Sequence, residues 1–380
     1  MMLLGLHPIR KAIPLRRILL MFVLLLLLTP HLPSLLHAQS PAYEVESVVR
    51  RARFPVALAF APDGRLFYTE KEDGRVRVVN PDGMLQSEPV ISLPSDPNVE
   101  LGMLGIAIDP DFENNGYIWV IHIQPNTIEP PYPIYKVVRF REENGLGYDP
   151  QTMLAVPLVT RQQHHVGGNL HFDSNGYLFL SIGDMGDPAF SQDLEAMQGK
   201  IHRFQVVDDQ LLPAPDNPFG DDSSVYAYGL RNPFDFDFDP MSGEVIAGEN
   251  GPQCDDELNV IYPGGNYGWR PDYPCAGTLA SEGRYSPPLV SYTPPEGITG
   301  VLVYDGAMFP EWEGDVFYCG WNGGIMRRME LSTDRSRSVG VEEVRMLNHS
   351  CSTDLAIGPD GAIYFTNFNS IYRLVAASGG

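Results

Sequence analysis

Positive charge is scarce in this chain: 26 Lys and Arg stand against 48 Asp and Glu in 380 residues, a formal net charge of −22. Four of those cations (Arg10, Lys11, Arg16, Arg17) lie in the first 38 residues, which hold no acid, so the remainder carries −26. Such a surface repels nucleic acid and anionic lipid and favours calcium and neutral or cationic ligands. Cysteine is scarcer still, with only Cys254, Cys275, Cys319 and Cys351. The absence of Cys-x-x-Cys, and of histidine at ligand spacing, argues against a cysteine metal site. The one long apolar run, Ile18–Leu28, is too short for a comfortable membrane span, and no later segment is apolar enough to cross a bilayer.

That run follows the basic cluster and precedes Leu36-His37-Ala38, where a small residue offers a cleavage point. This is the layout of a secretory signal. The sequence therefore predicts a signal over 1–38 and an exported body over 39–380, secreted or periplasmic, with no membrane span after cleavage. An even number of cysteines in an oxidising compartment predicts two disulfides. Proximity favours Cys254–Cys275 and Cys319–Cys351, although four cysteines allow three pairings.

Six stretches then repeat one plan: an apolar alternating strand, a turn such as Pro-Asp-Gly, a second strand, and a basic or polar third. They cover 58–80, 104–123, 170–184, 234–251, 308–331 and 355–375. A small antiparallel sheet cannot bury both faces alone, so such units pack around an axis. The expected fold is all-β, a six-bladed β-propeller of four-stranded antiparallel blades, with the first and last strands closing the ring. Loops from every blade would gather at one end of the channel, where chemistry is best placed.

Two loops carry suitable residues. In Gln163-His164-His165-Val166-Gly167-Gly168-Asn169, glycines beside a histidine let the backbone turn and leave an imidazole at the channel mouth, and Asp184 is placed to orient it. In Tyr228-Gly229-Leu230-Arg231-Asn232-Pro233, a guanidinium and an amide precede a strand; Gly248-Glu249-Asn250-Gly251-Pro252 and Asp255-Asp256-Glu257 follow. Carbonyls at a Gly-Pro turn beside carboxylates suit a hard cation such as calcium.

Together the strings HHVGGNLHF…SIGD, SQDLEAMQGKIHRF, DNPFG, YAYGLRNPFDF, GENGP…DDELNVI and GGNYGW resemble the soluble glucose/sorbosone dehydrogenase family, the aldose sugar dehydrogenases that depend on pyrroloquinoline quinone (PQQ). The resemblance runs in order over about 50–375. It implies a six-bladed propeller that holds PQQ and calcium above the channel, with a histidine base taking the sugar C1 hydroxyl proton as hydride moves to the quinone. On the matching positions it implies His165 as base, Asp184 as its orienter, Arg231 as the group polarising the quinone carbonyl, and Asn232 at the cofactor. The carbonyls of Gly251 and Pro252, with Asp255 and Asp256 nearby, would hold calcium. Glu100 and Tyr304 would face the sugar.

The chain departs from the family where cations pair with the carboxylates of PQQ. Gly320-Trp321-Asn322-Gly323-Gly324 replaces a lysine-bearing string and sets Asn322 at the cofactor. Cys351-Ser352-Thr353-Asp354 replaces one carrying arginine, and Asn169 stands where an arginine is usual. Arg327 and Arg328 are nearby substitutes, of which strand alternation lets one face the channel. Both altered loops carry a cysteine, Cys319 and Cys351, which suggests a disulfide that rebuilt this side of the pocket. The leading expectation is an exported oxidoreductase for an aldose or other soluble alcohol, using PQQ and calcium and passing electrons to a soluble or membrane acceptor. The alternatives are a calcium-stabilised propeller that binds carbohydrate or protein without redox chemistry, and a lactonase-like hydrolase.

Overall fold

The structure, a computed structural model, describes residues 42–126, 132–158, 163–275 and 286–377. The expected signal over 1–38 lies outside the described residues. Strands form where apolar residues alternate or run between turn residues, and the turns have a simple chemistry. In the first hairpin Asp63 accepts the Arg65 N–H at 3.1 Å while Gly64 takes φ +85°, a left-handed value that suits glycine. The turn at Asp173 repeats the device, accepting the Asn175 N–H at 2.9 Å with Gly176 at φ +80°.

The result is six antiparallel sheets, the expected propeller, with almost no helix. Each sheet has four strands except the third, where Val225–Tyr228 adds a fifth by pairing with Lys200–Val207. Blades 1 to 6 begin with Pro55–Phe60, Met103–Ile108, Leu170–Phe172, Pro233–Phe238, Ile298–Val303 and Leu355–Ile357. These strands touch their counterparts in neighbouring blades and line the axis. Closure is also as expected, because Tyr43–Arg50 pairs antiparallel with Ser370–Ala376 and completes blade 6. The fifth unit begins earlier than its expected start at 308: its inner strand is the apolar run Ile298–Val303, whereas Pro310–Trp312 forms a short turn of helix. That inner strand lacks the Pro-Asp-Gly turn that follows its counterparts in blades 1 and 6.

Apolar side chains fill the clefts between blades rather than the axis. Phe67 and Val76 of blade 1 meet Ile106, Ile118 and Phe140 of blade 2. Phe179 and Ile201 of blade 3 meet Phe236 and Val245 of blade 4. The last cleft sets Tyr364 and Ile371 of blade 6 against Leu58 and Tyr68 of blade 1. Each blade thus buries both faces, and fully burying one such side chain stabilises by about 1.5–3 kcal/mol.

The axis itself is polar. Asn169 Nδ2 donates to Asp235 Oδ1 at 2.5 Å, and Asp235 shares a hydrogen bond with Asp354. Asp354 Oδ2 accepts the Leu58 N–H at 2.6 Å and Asp235 Oδ2 accepts the Val301 N–H at 2.7 Å, so these carboxyls tie blade 6 to blade 1 and blade 4 to blade 5. Burial and the neighbouring Asp235 charge hold the Asp354 carboxyl well above the usual range. Asn169, at the position of the family arginine, is therefore part of a channel plug.

Candidate active site

At the channel mouth, residues from all six blades converge on a cavity of about 400 Å³ that both His165 and Arg231 line. The turn that carries His165 is tightly specified. His165 itself sits at φ +56°, Gly167 at +72° and Gly168 at +155°. A Cβ on Gly183 would lie 2.1 Å from the His165 carbonyl, and one on Gly167 would lie 2.8 Å from the Gly183 nitrogen, so neither position tolerates a side chain without movement. Such backbone strain at a bulky residue must be held by its surroundings. Glu100 Oε2 accepts the His165 N–H at 2.5 Å, and Asn232 Oδ1 accepts the Gly167 N–H at 3.0 Å.

His165 Nδ1 is 2.8 Å from Asp184 Oδ1. Asp184 is almost fully buried, and it also accepts the Trp269 Nε1–H and the Gly186 N–H, at 2.8 and 2.7 Å. A carboxylate so fixed accepts from Nδ1–H and leaves Nε2 as the basic nitrogen of the ring. The structure brings His165 and Asp184 into direct contact. Glu100 lines the cavity as expected, although its carboxylate also anchors the histidine loop.

Arg231 Nη1 donates to the carbonyls of Asn250 and Gly251, at 2.8 and 2.9 Å, and its guanidinium lies 5.5 Å from the Trp269 ring centre. Beneath it Glu249 Oε1 accepts the N–H groups of Arg231 and Asn232. Glu249 Oε2 is buried without a hydrogen-bond partner, and burial holds this carboxyl well above its usual range. Glu257, paired with it across the strands, is pushed up to about 7 by burial first and by the charges of Asp255 and Asp256, against the opposing hydrogen bond from Asn259. Asp256 lines the cavity and accepts the Gly251 and Gly297 N–H groups at 2.8 and 2.5 Å.

Other expected site residues are placed differently. Asp255 turns from the cavity to Tyr273 and Ser291, at 3.2 and 3.3 Å, because successive residues entering a strand point to opposite faces. Pro252 is half-buried and outside the cavity lining. Tyr304, expected to face the sugar, is fully buried among Phe309, Trp312 and Phe317, and its hydroxyl donates to the Gly361 carbonyl at 2.7 Å. It follows an inner strand and packs beneath a turn, which reverses the expected role. Arg327 pairs with Glu296, and Arg328 with Asp315 and Glu342; neither lines the cavity.

Both disulfides are present as expected, Cys254–Cys275 and Cys319–Cys351. The second joins a strand of blade 5 to the loop before blade 6, next to the wall built by Trp321, Asn322 and Thr353. Asn322 lines the cavity but its Nδ2 donates to the Pro295 carbonyl at 3.1 Å. Thr353 Oγ1 donates to the Pro55 carbonyl at 2.8 Å. One cation on the lining escaped the sequence reading: Lys71, almost fully buried, donates to the Pro97 carbonyl at 3.0 Å and lies 5.3 Å from the Phe54 ring centre. Burial lowers its pKa from the usual lysine value. In the sequence it sits within Glu70-Lys71-Glu72-Asp73, which reads as a solvated charge run.

The family model for glucose / sorbosone dehydrogenase matches residues 52–375. The chain belongs to that family. This glucose/sorbosone dehydrogenase family member is 26% identical over 371 residues to the aldose sugar dehydrogenase YliI of Escherichia coli, covering 91% of this chain and 96% of that protein. It is 28% identical over 260 residues to the quinoprotein glucose dehydrogenase B of Acinetobacter calcoaceticus, covering 61% of this chain and 53% of that one. A solved glucose dehydrogenase superposes with a TM-score of 0.75 at 26% identity, covering 88% of this chain and 99% of its own. The PQQ-bound aldose sugar dehydrogenase of Streptomyces coelicolor, 23% identical with a TM-score of 0.72 and covering 89% and 99%, agrees in fold.

Proposed function

We propose that this chain is an exported oxidoreductase of the sugar-dehydrogenase type, acting on an aldose or another soluble alcohol. The observation that carries this reading is the His165–Asp184 pair at 2.8 Å on the wall of the cavity. Asp184 would hold Nδ1–H, His165 Nε2 would take the hydroxyl proton, and the buried carboxylate would stabilise the imidazolium; the hydride of the same carbon would need a dissociable acceptor supplied from solution, for which PQQ is the probe. Arg231 sets a permanent positive charge on the lining of the same cavity, where it would stabilise negative charge on a bound acceptor. Glu100 and Asn232 keep the histidine turn in its strained shape.

Calcium fits the acids around Arg231. Glu249 Oε2 lacks a partner, and Glu249 and Glu257 both hold protons more tightly than usual because burial disfavours their charge. A hard cation offered the carbonyls of Gly251 and Pro252 and carboxylates nearby would relieve this. Excess chelator is expected to lower the melting temperature, since a ligand of the folded state adds stability. An unchanged melting curve with no calcium found by elemental analysis would remove the metal from the proposal.

PQQ as a tightly held group does not fit. Arg231 and Asn232 suit the reactive edge of a quinone, but the opposite wall of Trp321, Asn322 and Thr353 is neutral, and its polar groups bond to the chain's own carbonyls. Loss of two or three charge-assisted hydrogen bonds of about 1.5–3 kcal/mol each weakens such an anion by on the order of a thousandfold. The same wall favours a second reading, a calcium-stabilised propeller that binds carbohydrate without redox chemistry.

One experiment separates the two. The protein with calcium is titrated with PQQ in a calorimeter, and dye reduction is measured over a panel of sugars and alcohols up to saturating PQQ. The dehydrogenase reading expects dye reduction with an aldose that is lost in His165→Ala. Sugar binding without reduction at any PQQ concentration would replace it with the second reading.

A further inference from the structure

The wall that fails to suit a tricarboxylate is built for something else. Trp321, the residue before Asn322, lines the cavity and is 43% exposed. Its ring stacks on Phe54 of the blade 1 loop, with centres 5.9 Å apart and planes at 27°. Phe368, from the last turn of blade 6 and 46% exposed, packs edge-on against both, at 5.4 and 4.8 Å. Aromatic rings from three blades therefore meet at the cavity rim.

This cluster is held rather than loose. Phe54 sits at φ +59°, a strained value for a bulky residue, while its carbonyl accepts the Lys71 N–H at 2.9 Å. The Trp321 N–H donates to the Gly297 carbonyl at 2.7 Å and the Asn322 N–H to the Glu296 carbonyl at 2.8 Å. The Cys319–Cys351 bond begins two residues before Trp321. Blades 5, 6 and 1 bring this wall around the ring from the blade 3 loop, and blade 6 stands directly opposite blade 3 in a six-membered ring. His165 and the aromatic wall thus face each other across one cavity of about 400 Å³, within the range of about 300–1,000 Å³ for small-molecule sites.

We infer that Trp321, with Phe54 and Phe368 behind it, is a stacking subsite for a neutral sugar ring, so that the preferred ligand is a neutral oligosaccharide with one unit against Trp321 and another at His165. The inference rests on the dehydrogenase reading for the role of His165 and adds the subsite to it. Exposed aromatic faces pack against the apolar face of a pyranose, whose hydroxyls stay hydrated at the rim. The charge of the chain, −22, selects against anionic ligands, and the wall leaves its own polar groups bonded internally. The one cation beside this wall, Lys71, is almost fully buried and bonded to the Pro97 carbonyl, so a carboxylated ligand gains little there, and a neutral ring needs no counter-ion.

The test uses the full protein with calcium, glucose as the single unit, and cellotetraose and maltotetraose as the longer probes, read by calorimetry. Wild type is expected to bind at least one tetrasaccharide roughly tenfold or more tightly than glucose, Trp321→Ala to abolish that difference, and Trp321→Phe to keep most of it. Both variants should melt within a few degrees of wild type and keep both disulfides, which shows that they remain folded. Equal affinity of wild type for glucose and both tetrasaccharides, or a Trp321→Ala protein that keeps the preference, overturns the inference. Dye reduction is measured in parallel: lost preference with retained sugar oxidation sinks the subsite alone, and retained preference without oxidation at saturating PQQ sinks the dehydrogenase reading alone.

Discussion

The two sides of the cavity use their polar groups in opposite ways. On the blade 3 and 4 side, Asp184, Glu100, Asn232 and Glu249 bond to the loops that carry His165 and Arg231, so those two functional groups are presented to the cavity. On the blade 5, 6 and 1 side, Asn322 and Thr353 are themselves the groups that bond to the backbone, and what remains on view is the face of Trp321. The first arrangement is preorganised for charge and proton transfer. The second is preorganised for shape. The two walls come from different blades with separate backbone supports, so a change on one need not disturb the other.

The largest effect is expected from removing the base. His165→Ala should lower turnover by about 10²–10⁴-fold, the usual contribution of a general base, and leave tetrasaccharide affinity nearly intact because Trp321 belongs to the other wall. Steady-state dye reduction and calorimetry on the same preparation check both halves. An equal loss of binding would show that the walls do not act separately. Next comes the disulfide. Cys319→Ser with Cys351→Ser opens a link that spans 32 residues and should cost roughly 3–4 kcal/mol of stability. Below the new melting temperature it should weaken tetrasaccharide binding more than it slows oxidation. Denaturant melts and titration of the oxidised protein for free thiols, of which none are expected, test this.

The propeller and the His165–Asp184 contact were legible because both are written locally. Short turns ending in glycine, such as Pro62-Asp63-Gly64 and Ser174-Asn175-Gly176, mark the inner hairpins, and the glycines after His165 announce a strained turn. The Tyr304 expectation failed because a position just after an inner strand lies either at the channel mouth or under the next turn, and composition cannot distinguish these. Asp255 failed for a related reason: in Asp255-Asp256-Glu257 only one neighbour can face the cavity, and the sequence does not fix the phase. Lys71 and the aromatic cluster were missed because they are assembled from Phe54, Trp321 and Phe368, which lie far apart in the chain and meet only when the ring closes.

A smaller change should restore part of the missing recognition. Asn322 is exposed at the cavity, so Asn322→Lys adds a cation without overfilling the core. One charge-assisted hydrogen bond of about 1.5–3 kcal/mol corresponds to roughly 10–150-fold tighter PQQ. Thr353→Arg is a poorer choice, since Thr353 is 1% exposed and bonded to the Pro55 carbonyl, and overpacking such a site costs about 1–3 kcal/mol. Calorimetry with PQQ and calcium decides the matter. Unchanged affinity in Asn322→Lys would mean that the neutral wall is not what limits the cofactor.

The smallest effect concerns the plug that joins the two sides beneath the cavity, where Asp235 of blade 4 meets Asp354, the residue after Thr353. Burial first, and the Asp235 charge second, raise the Asp354 carboxyl well above its usual range, so this group favours the folded state while it keeps its proton. Its contribution is complete below the unfolded value of about 3.9 and is lost as pH rises through the raised folded value. Asp354→Asn replaces the protonated carboxyl by an amide that still donates to Asp235 and never ionises. Above pH 4 the variant should therefore lose stability less steeply than wild type, the difference reaching at most about 1.4 kcal/mol per pH unit where Asp354 titrates. Urea melts between pH 4 and 9 measure both slopes. Parallel slopes would place the shared proton elsewhere in the plug; a flatter slope in the variant, with tetrasaccharide affinity that no longer changes over the same range, would show that the proton couples the channel to the aromatic wall above it.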